Sequence, residues 1–234
     1  MRWRSGLVDL LNGDTRDPVT RRNQQDDRNL KLLLRFGLRP TSNCLDVGAN
    51  RGTFLRDIQR LAPLGHHVAY EPVPHLAERL RKEFPEVEVR QRALADQNGQ
   101  LEFVEFVEPG SIARSGLADH LDPSSLPDAR HKFTTVPTER LDDNLPDGWL
   151  PDFVKIDVEG AELQVFEGAV DTLRAARPVV AFEHGRLHGT SEEIFRILTE
   201  EAGLRVFNMD GEGPLDLRSF LLQLHTRWNW VAHH

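Results

Sequence analysis

From residue 43 onward the chain alternates short apolar runs with amphipathic stretches, and no other feature narrows its fold so far. Apolar runs fall at 43–47, 68–70, 87–93, 101–107, 153–156 and 178–182; segments with helical spacing fall at 53–61, 75–84, 161–176 and 191–202. A strand followed by a helix-length crossover returns parallel to the first, so the pattern predicts an α/β fold with a mostly parallel sheet and helices on both faces. Two closing runs, 204–208 and 219–224, are separated by MDGEGPLDL and no helical pattern. They are predicted to pair as an antiparallel hairpin at one edge.

Residues 1–40 differ in character. They are polar and charged, with Leu30, Leu33 and Leu34 at helical spacing before Gly37 and Pro40 stop the helix. This predicts an N-terminal helical arm over 1–40 ahead of one domain over 41–234. The stretch 108–131, rich in Pro, Ser, Asp and His, is long for a connection and is expected to act as a lid or acceptor-binding loop.

Hydrophobic residues make up 39% of the 234, enough for a buried core, and the net charge of −8 argues against nucleic acid as the main partner. The single cysteine, Cys44, excludes an internal disulfide framework and suits a small buried side chain in a reducing compartment. No run approaches the ~20 apolar residues of a membrane span, and the first residues do not resemble a signal peptide. The expectation is a cytoplasmic protein with no membrane or nucleic-acid partner. The arm and the exposed edge hairpin favour a homodimer.

In an open parallel sheet, ligands bind beyond the carboxyl ends of the strands. Here those ends are acidic: Asp46 follows Cys44-Leu45, Glu71 follows Ala69-Tyr70, Asp96 comes just after Ala93 and Leu94, Asp157 follows Ile156, and Glu183 follows Phe182. A strand meant only for a core would not finish in charge, so Asp157 in FVKIDVEGAE is expected at the mouth of a site. In the first turn, LDVGANRGTF, Gly48 and Gly52 flank Asn50. Glycine permits unusual backbone dihedrals and close approach of a ligand. Glu71, 25 residues past Asp46, is placed to accept from the hydroxyls of a ribose. A dinucleotide would favour a third glycine and an unencumbered helix start for its pyrophosphate. Asn50 and the negative charge of Asp46 suit a ligand with an amino group and no phosphate, such as S-adenosylmethionine. An NAD(P)-dependent oxidoreductase and a catalytically inactive nucleoside-binding module are the alternatives.

Taken in order, LDVGANRGTF, AYEPVP, RALADQNGQLEF, FVKIDVEGAELQVFEGA and VVAFEHG resemble the FkbM family of S-adenosylmethionine-dependent methyltransferases, over about residues 43–185. The resemblance implies a Rossmann-like class I methyltransferase fold with a seven-stranded sheet. It also implies O-methylation of a hydroxyl on a sugar, glycan or glycosylated natural product. By the same resemblance Asp46, Gly48 and Asn50, with Gly52 closing the turn, hold the methionine moiety, and Glu71 holds the ribose. Ala93 and Leu94, with Asp96 nearby, meet the adenine, whose slot Pro72 and Val73 shape. Residues 1–40 and 108–131 lie outside it, so the acceptor is not implied.

A sulfonium is already an activated methyl donor, so the protein must align donor with acceptor and manage one proton. Alignment can supply ~7–11 kcal/mol of the barrier. An unactivated hydroxyl lies about 12 pKa units above an ordinary Asp, or ~16 kcal/mol, so its proton cannot leave fully before transfer. It leaves in concert with transfer, or a divalent cation first acidifies the hydroxyl. Asp157 or His184 is the expected base, with Glu183 beside them and Lys155 on the strand face of Asp157, paired with a carboxylate. Mg²⁺ held by Asp157 and Glu183 is the candidate metal site. Glu159 and Glu162 fall in the first turn of the following helix, where negative charge suits the dipole. His184 and His188 have ligand-like spacing, but Gly185 and Gly189 argue against a helix and against zinc. Trp228 and Trp230 are expected to pack in the core or at an interface.

Overall fold

The computed structural model describes residues 18–106, 116–117, 131–185 and 189–234. Helix α1 (Pro18–Gly37) comes first, followed in alternation by β1 (Cys44–Val47), α2 (Thr53–Leu61), β2 (His67–Tyr70), α3 (Pro74–Glu83) and β3 (Glu88–Arg90). Four strands then interrupt: β4 (Ala93–Leu94), β5 (Gly99–Phe106), β6 (Gly116–Leu117) and β7 (His131–Glu139), with a short α4 (Leu141–Asn144) after them. Alternation resumes with β8 (Phe153–Ile156), α5 (Glu162–Glu167), α6 (Val170–Ala176), β9 (Val179–Glu183) and α7 (Ser191–Arg196), which runs into a π-helical turn (Ile197–Glu201). The chain closes with β10 (Arg205–Asn208), α8 (Leu217–Gln223) and β11 (Asn229–His233).

Seven strands form the main sheet in the order β10-β11-β9-β8-β1-β2-β3. Pairings from β9 across to β3 are parallel, while β11 runs antiparallel to both β9 and β10. The Rossmann-like expectation is met.

Several local expectations are corrected. The run 219–224 is helical, not a strand: Phe220 and Leu224 are buried four residues apart, and Asp216 Oδ1 caps the helix by accepting from the Ser219 amide at 2.7 Å. The last strand is instead β11, NWVAH, inserted between β9 and β10, so α8 intervenes where a simple hairpin was expected. The run 87–93 divides: β3 joins the main sheet, and β4 pairs with β7 in a second sheet of order β4-β7-β5-β6. Strand β7 has no counterpart among the apolar runs, because Thr134, Thr135 and Thr138 carry much of its β propensity. The helix expected over 161–176 breaks at Gly168, where a Cβ would lie 2.0 Å from the Ala95 carbonyl oxygen. Most of 108–131, the expected lid or acceptor loop, lies outside the described residues; its 116–117 form β6, against β5.

Strand pleating sends alternate side chains into two apolar layers. Leu45, Val47, Val154 and Ile156 pack with Phe166, Phe220 and Trp230 on the side of α5–α8. Cys44 and Phe153 pack with Leu34, Phe54, Leu55 and Leu80 on the side of α1–α3. Cys44 is fully buried, which pushes its thiol up to about 12 and leaves it inert. Asp46 and Lys155, opposite each other in the β1–β8 register, project into that second layer. Helix α1 is fastened to the far end of the chain. Arg22 and Arg227 both pair with Asp210, at 2.7 and 2.8 Å, and Asn29 Nδ2 donates to Met209 O at 2.9 Å. Among the described residues no helix is long and apolar enough to cross a membrane.

Candidate active site

The chain runs outward from β1 through β2 to β3, then returns on the other side of β1 as β8. The order therefore reverses at β1, which is where open sheets hold ligands. A cleft opens there, between the ends of β1, β2 and β8 and the second sheet. One part of its lining is apolar: Pro72, Val73, Leu76, Leu94 and Phe103. Another part is acidic: Asp157, Glu159 and Glu183.

The turn after β1 is built around close contacts. Gly48 sits at φ +78°, and a Cβ there would fall 2.0 Å from the Asp157 carbonyl oxygen. The end of β8 therefore passes directly against the turn, with the Asp157 amide donating to Val47 O at 3.0 Å. Asn50 also has positive φ, 48°, which aims its amide at the second strand. That amide donates to Glu71 Oε2 at 2.7 Å, and the Val73 amide donates to Glu71 Oε1 at 2.9 Å. Glu71 is buried with both oxygens held, yet each keeps a lone pair for a ligand in the cleft it lines. Burial pushes its pKa up to about 7 against the pull of the two amides.

Asp46 is completely buried, and neither of its oxygens accepts a hydrogen bond among the described residues. The Asn50 Oδ1 is buried and unpartnered in the same sense. Buried polar atoms are costly unless something satisfies them, so these mark places where a donor group belongs. The Lys155 ammonium lies 3.6 Å from Asp46 Oδ1 and 3.1 Å from Asp157 Oδ2. Burial pushes Asp46 up to about 6, with Lys155 pulling the other way. Burial alone would lower Lys155, but the charges of Asp157 and Asp46 outweigh it and hold the ammonium protonated. Glu183 rises to about 8 through burial and through the facing charge of Asp157.

Of the residues singled out in the sequence, Gly48, Asn50, Glu71, Pro72, Ala93, Leu94, Asp157 and Glu183 line this one cleft. Asp46 and Lys155 support it from within the sheet. Gly52, at φ +71°, starts α2 where a Cβ would strike the Phe84 ring at 2.4 Å. Asp96 is not in the lining; its backbone oxygen instead accepts from Arg140 at 3.0 Å.

His184 is displaced from the expected place. Its neighbour Glu183 faces the cleft, so strand alternation turns His184 away, and it is 1% exposed. There its Nδ1 lies 3.3 Å from Glu162 Oε2 and its Nε2 2.8 Å from Ser191 Oγ. Glu162, expected to serve the helix dipole, also accepts from the Gly160 amide at 2.8 Å. His188 lies outside the described residues. Trp230 is buried on Phe220, in the core as expected.

The candidate Mg²⁺ pair does not fit a metal. Lys155 places a cation against Asp157, and among the described residues no group of three or more His, Cys, Asp or Glu side chains is arranged to hold an ion. Sequence reasoning passed over Phe103, which reaches the cleft from the second sheet and follows no strand-end rule. Glu159, expected in the first turn of the following helix, precedes it instead: with φ 48° ahead of Gly160 at 93°, it lines the cleft.

Residues 46–221 match the methyltransferase FkbM domain. The chain belongs to the FkbM methyltransferase family. The 2-O-methyltransferase NoeI of Sinorhizobium fredii is 28% identical over 151 residues, which cover 59% of this chain and 62% of that protein. The AMB antimetabolite synthetase AmbE of Pseudomonas aeruginosa is 28% identical over 190 residues, covering 66% of this chain and 9% of that protein. The chain thus spans less than two thirds of the length of either relative. Among solved structures, the FkbM methyltransferase of Methylobacillus flagellatus KT superposes with a TM-score of 0.52 at 14% identity, covering 84% of this chain and 44% of that one. At that identity the FkbM likeness is one of fold.

Proposed function

We propose that the chain transfers the methyl group of S-adenosylmethionine to a hydroxyl of a sugar, glycan or glycosylated natural product. The observation that carries this reading is the buried Glu71 carboxylate, held by the amides of Asn50 and Val73 in a cleft that is apolar in one part and acidic in another. The carboxylate suits two ribose hydroxyls, and the apolar residues suit a base. The unpartnered Asn50 oxygen suits an ammonium group. Asp157 and Glu159 favour a cationic ligand and would repel a pyrophosphate, which disfavours the nicotinamide alternative. Membership in a methyltransferase family supports the same choice, and the name of the NoeI relative supports oxygen as the methylated atom.

S-adenosylmethionine, when bound, supplies a methyl group on a positively charged sulfur. The chain's own residues then have three tasks. Glu71 fixes the nucleoside, and the turn at Gly48–Asn50 meets the methionine moiety. Lys155, 3.1 Å from Asp157, orients that carboxylate toward the cleft. Asp157 takes the hydroxyl proton as the oxygen–carbon bond forms and the sulfur–carbon bond breaks. Glu183, pushed up to about 8, keeps its proton at neutral pH and can donate to the acceptor while Asp157 accepts. The two carboxyl groups divide the work because their environments differ.

Replacing Asp157 by Asn tests the assignment. Turnover should fall about 10²- to 10⁴-fold, while the affinity for S-adenosylhomocysteine stays within about threefold. Wild-type turnover in the variant would remove Asp157 from the role. Tight binding of NAD with no response to S-adenosylhomocysteine would overturn the whole reading.

A further inference from the structure

The segment Asp157–Gly160 carries two of the cleft's carboxylates, Asp157 and Glu159, and belongs to no strand or helix. Its backbone takes an uncommon course, with φ 48° at Glu159 and 93° at Gly160. Positive φ is costly at a residue with a side chain and persists only where the surroundings hold it. Two anchors do so here. At the start, the Asp157 amide donates to Val47 O at 3.0 Å; at the end, the Gly160 amide donates to Glu162 Oε1 at 2.8 Å.

The second anchor is itself pinned. Glu162 is 2% exposed, although a carboxylate that served only a helix dipole would lie in water. Its other oxygen, Oε2, lies 3.3 Å from His184 Nδ1, and His184 Nε2 lies 2.8 Å from Ser191 Oγ. With Nδ1–H donating to the carboxylate, Nε2 accepts from the Ser191 hydroxyl, so both ring nitrogens are engaged. The His184 backbone is fastened as well. Its amide donates to Trp228 O at 2.7 Å, and its carbonyl accepts from Trp230 Nε1 at 3.0 Å. Neither Glu162 nor His184 lines the cleft, and neither takes part in the proton transfer.

We infer that Glu162 and His184 are positioning residues, which together clamp the Asp157–Gly160 turn so that Asp157 and Glu159 hold their charges toward the cationic sulfur of the donor. The inference rests on the S-adenosylmethionine reading and deepens it. The clamp works by reach, because one carboxylate must span from the Gly160 amide to the imidazole. Shortening it lets the turn shift. A carboxylate that moves from about 5 Å to about 6 Å from a positive charge loses about a sixth of the attraction, and two carboxylates on one turn lose it together.

Calorimetry on the whole protein with S-adenosylmethionine and S-adenosylhomocysteine, which differ by one methyl group and one positive charge, tests this without an acceptor. Glu162→Asp keeps the buried charge but loses the reach. It should weaken S-adenosylmethionine about three- to tenfold more than S-adenosylhomocysteine. Glu162→Gln keeps the reach and loses the charge, with the imidazole free to take its other tautomer, and should shift that ratio less than about twofold. With Asp157→Asn and Glu159→Gln both in place, Glu162→Asp should also shift it less than about twofold, since no charge is left to misplace. His184→Gln leaves Glu162 Oε2 without its donor and should repeat the pattern of Glu162→Asp, so the inference is decided even where Glu162→Asp does not fold. Equal weakening of both ligands is what a merely structural role predicts, and it overturns the inference. So does an unchanged ratio in Glu162→Asp, a Glu162→Gln shift as large as that of Glu162→Asp, or a full shift in the background without the two charges. Failure of the wild type to bind either ligand defeats the S-adenosylmethionine reading itself.

Discussion

Replacing Glu71 by Gln should remove the pH dependence that this carboxyl gives the ligand-free fold while weakening donor binding, and burial sets the size of the first effect. The carboxyl is pushed from an unperturbed value near 4.5 up to about 7, so the folded state holds its proton more tightly than the unfolded chain does. A raised carboxyl contributes its full stability below the unfolded value and loses it as pH rises through the folded one. At 1.36 kcal/mol per pKa unit, that contribution declines by about 2–3 kcal/mol between pH 5 and pH 8. Gln resembles the protonated acid and does not titrate. The stability difference between variant and wild type should therefore move by about 2–3 kcal/mol in favour of Gln over the same interval. Urea melts at the two pH values would show it as a shift of about 1 M in midpoint. Calorimetry at pH 8 should show S-adenosylhomocysteine bound about 30- to 1,000-fold more weakly, because two charge-assisted hydrogen bonds to the ribose are lost. A stability difference independent of pH would refute the claim that burial raises this carboxyl's pKa. Binding within twofold of wild type would refute its role against the ribose.

Two further outcomes follow from the same geometry. Gly48→Ala places a Cβ 2.0 Å from the Asp157 carbonyl at a φ of +78°. It should cost about 2–4 kcal/mol and abolish measurable S-adenosylhomocysteine binding; an intact melting curve would show that β8 does not press on the turn. Turnover should be unchanged in excess EDTA, since Lys155 occupies the side of Asp157 that a cation would need; a chelator-dependent loss would bring a metal back.

The sheet was legible in the sequence because its parallel strands are buried on both faces and read as continuous apolar runs. The acidic rim was legible for a related reason: Glu71, Asp157 and Glu183 end such runs abruptly, and little but a site explains charge there. What escaped has physical causes as well. SFLLQL fits both strand and helix spacing, and only the Asp216 cap decides it. HKFTTVPTE owes its strand to threonines and to a partner, β5, that local pattern cannot reveal. His184 was misplaced because adjacent residues at a strand end face opposite ways, so Glu183 and His184 could not both reach the cleft.

The placement of β11 dictates an order of events. Strand β10 precedes it in the chain, yet β10 touches the main sheet only through β11. The edge strand can therefore join the sheet only with or after residues 229–233, and any fluctuation that frees β11 from β9 takes β10 from the sheet with it. Amide exchange under native conditions should show the protection of Arg205–Asn208 capped by that of Asn229–His233, never above it. Arg22 and Asn29 grip the turn just past β10, so such an opening would also unlatch α1. Breathing at one margin of the sheet would thus be felt at the helix that lies over the ends of β8 and β9.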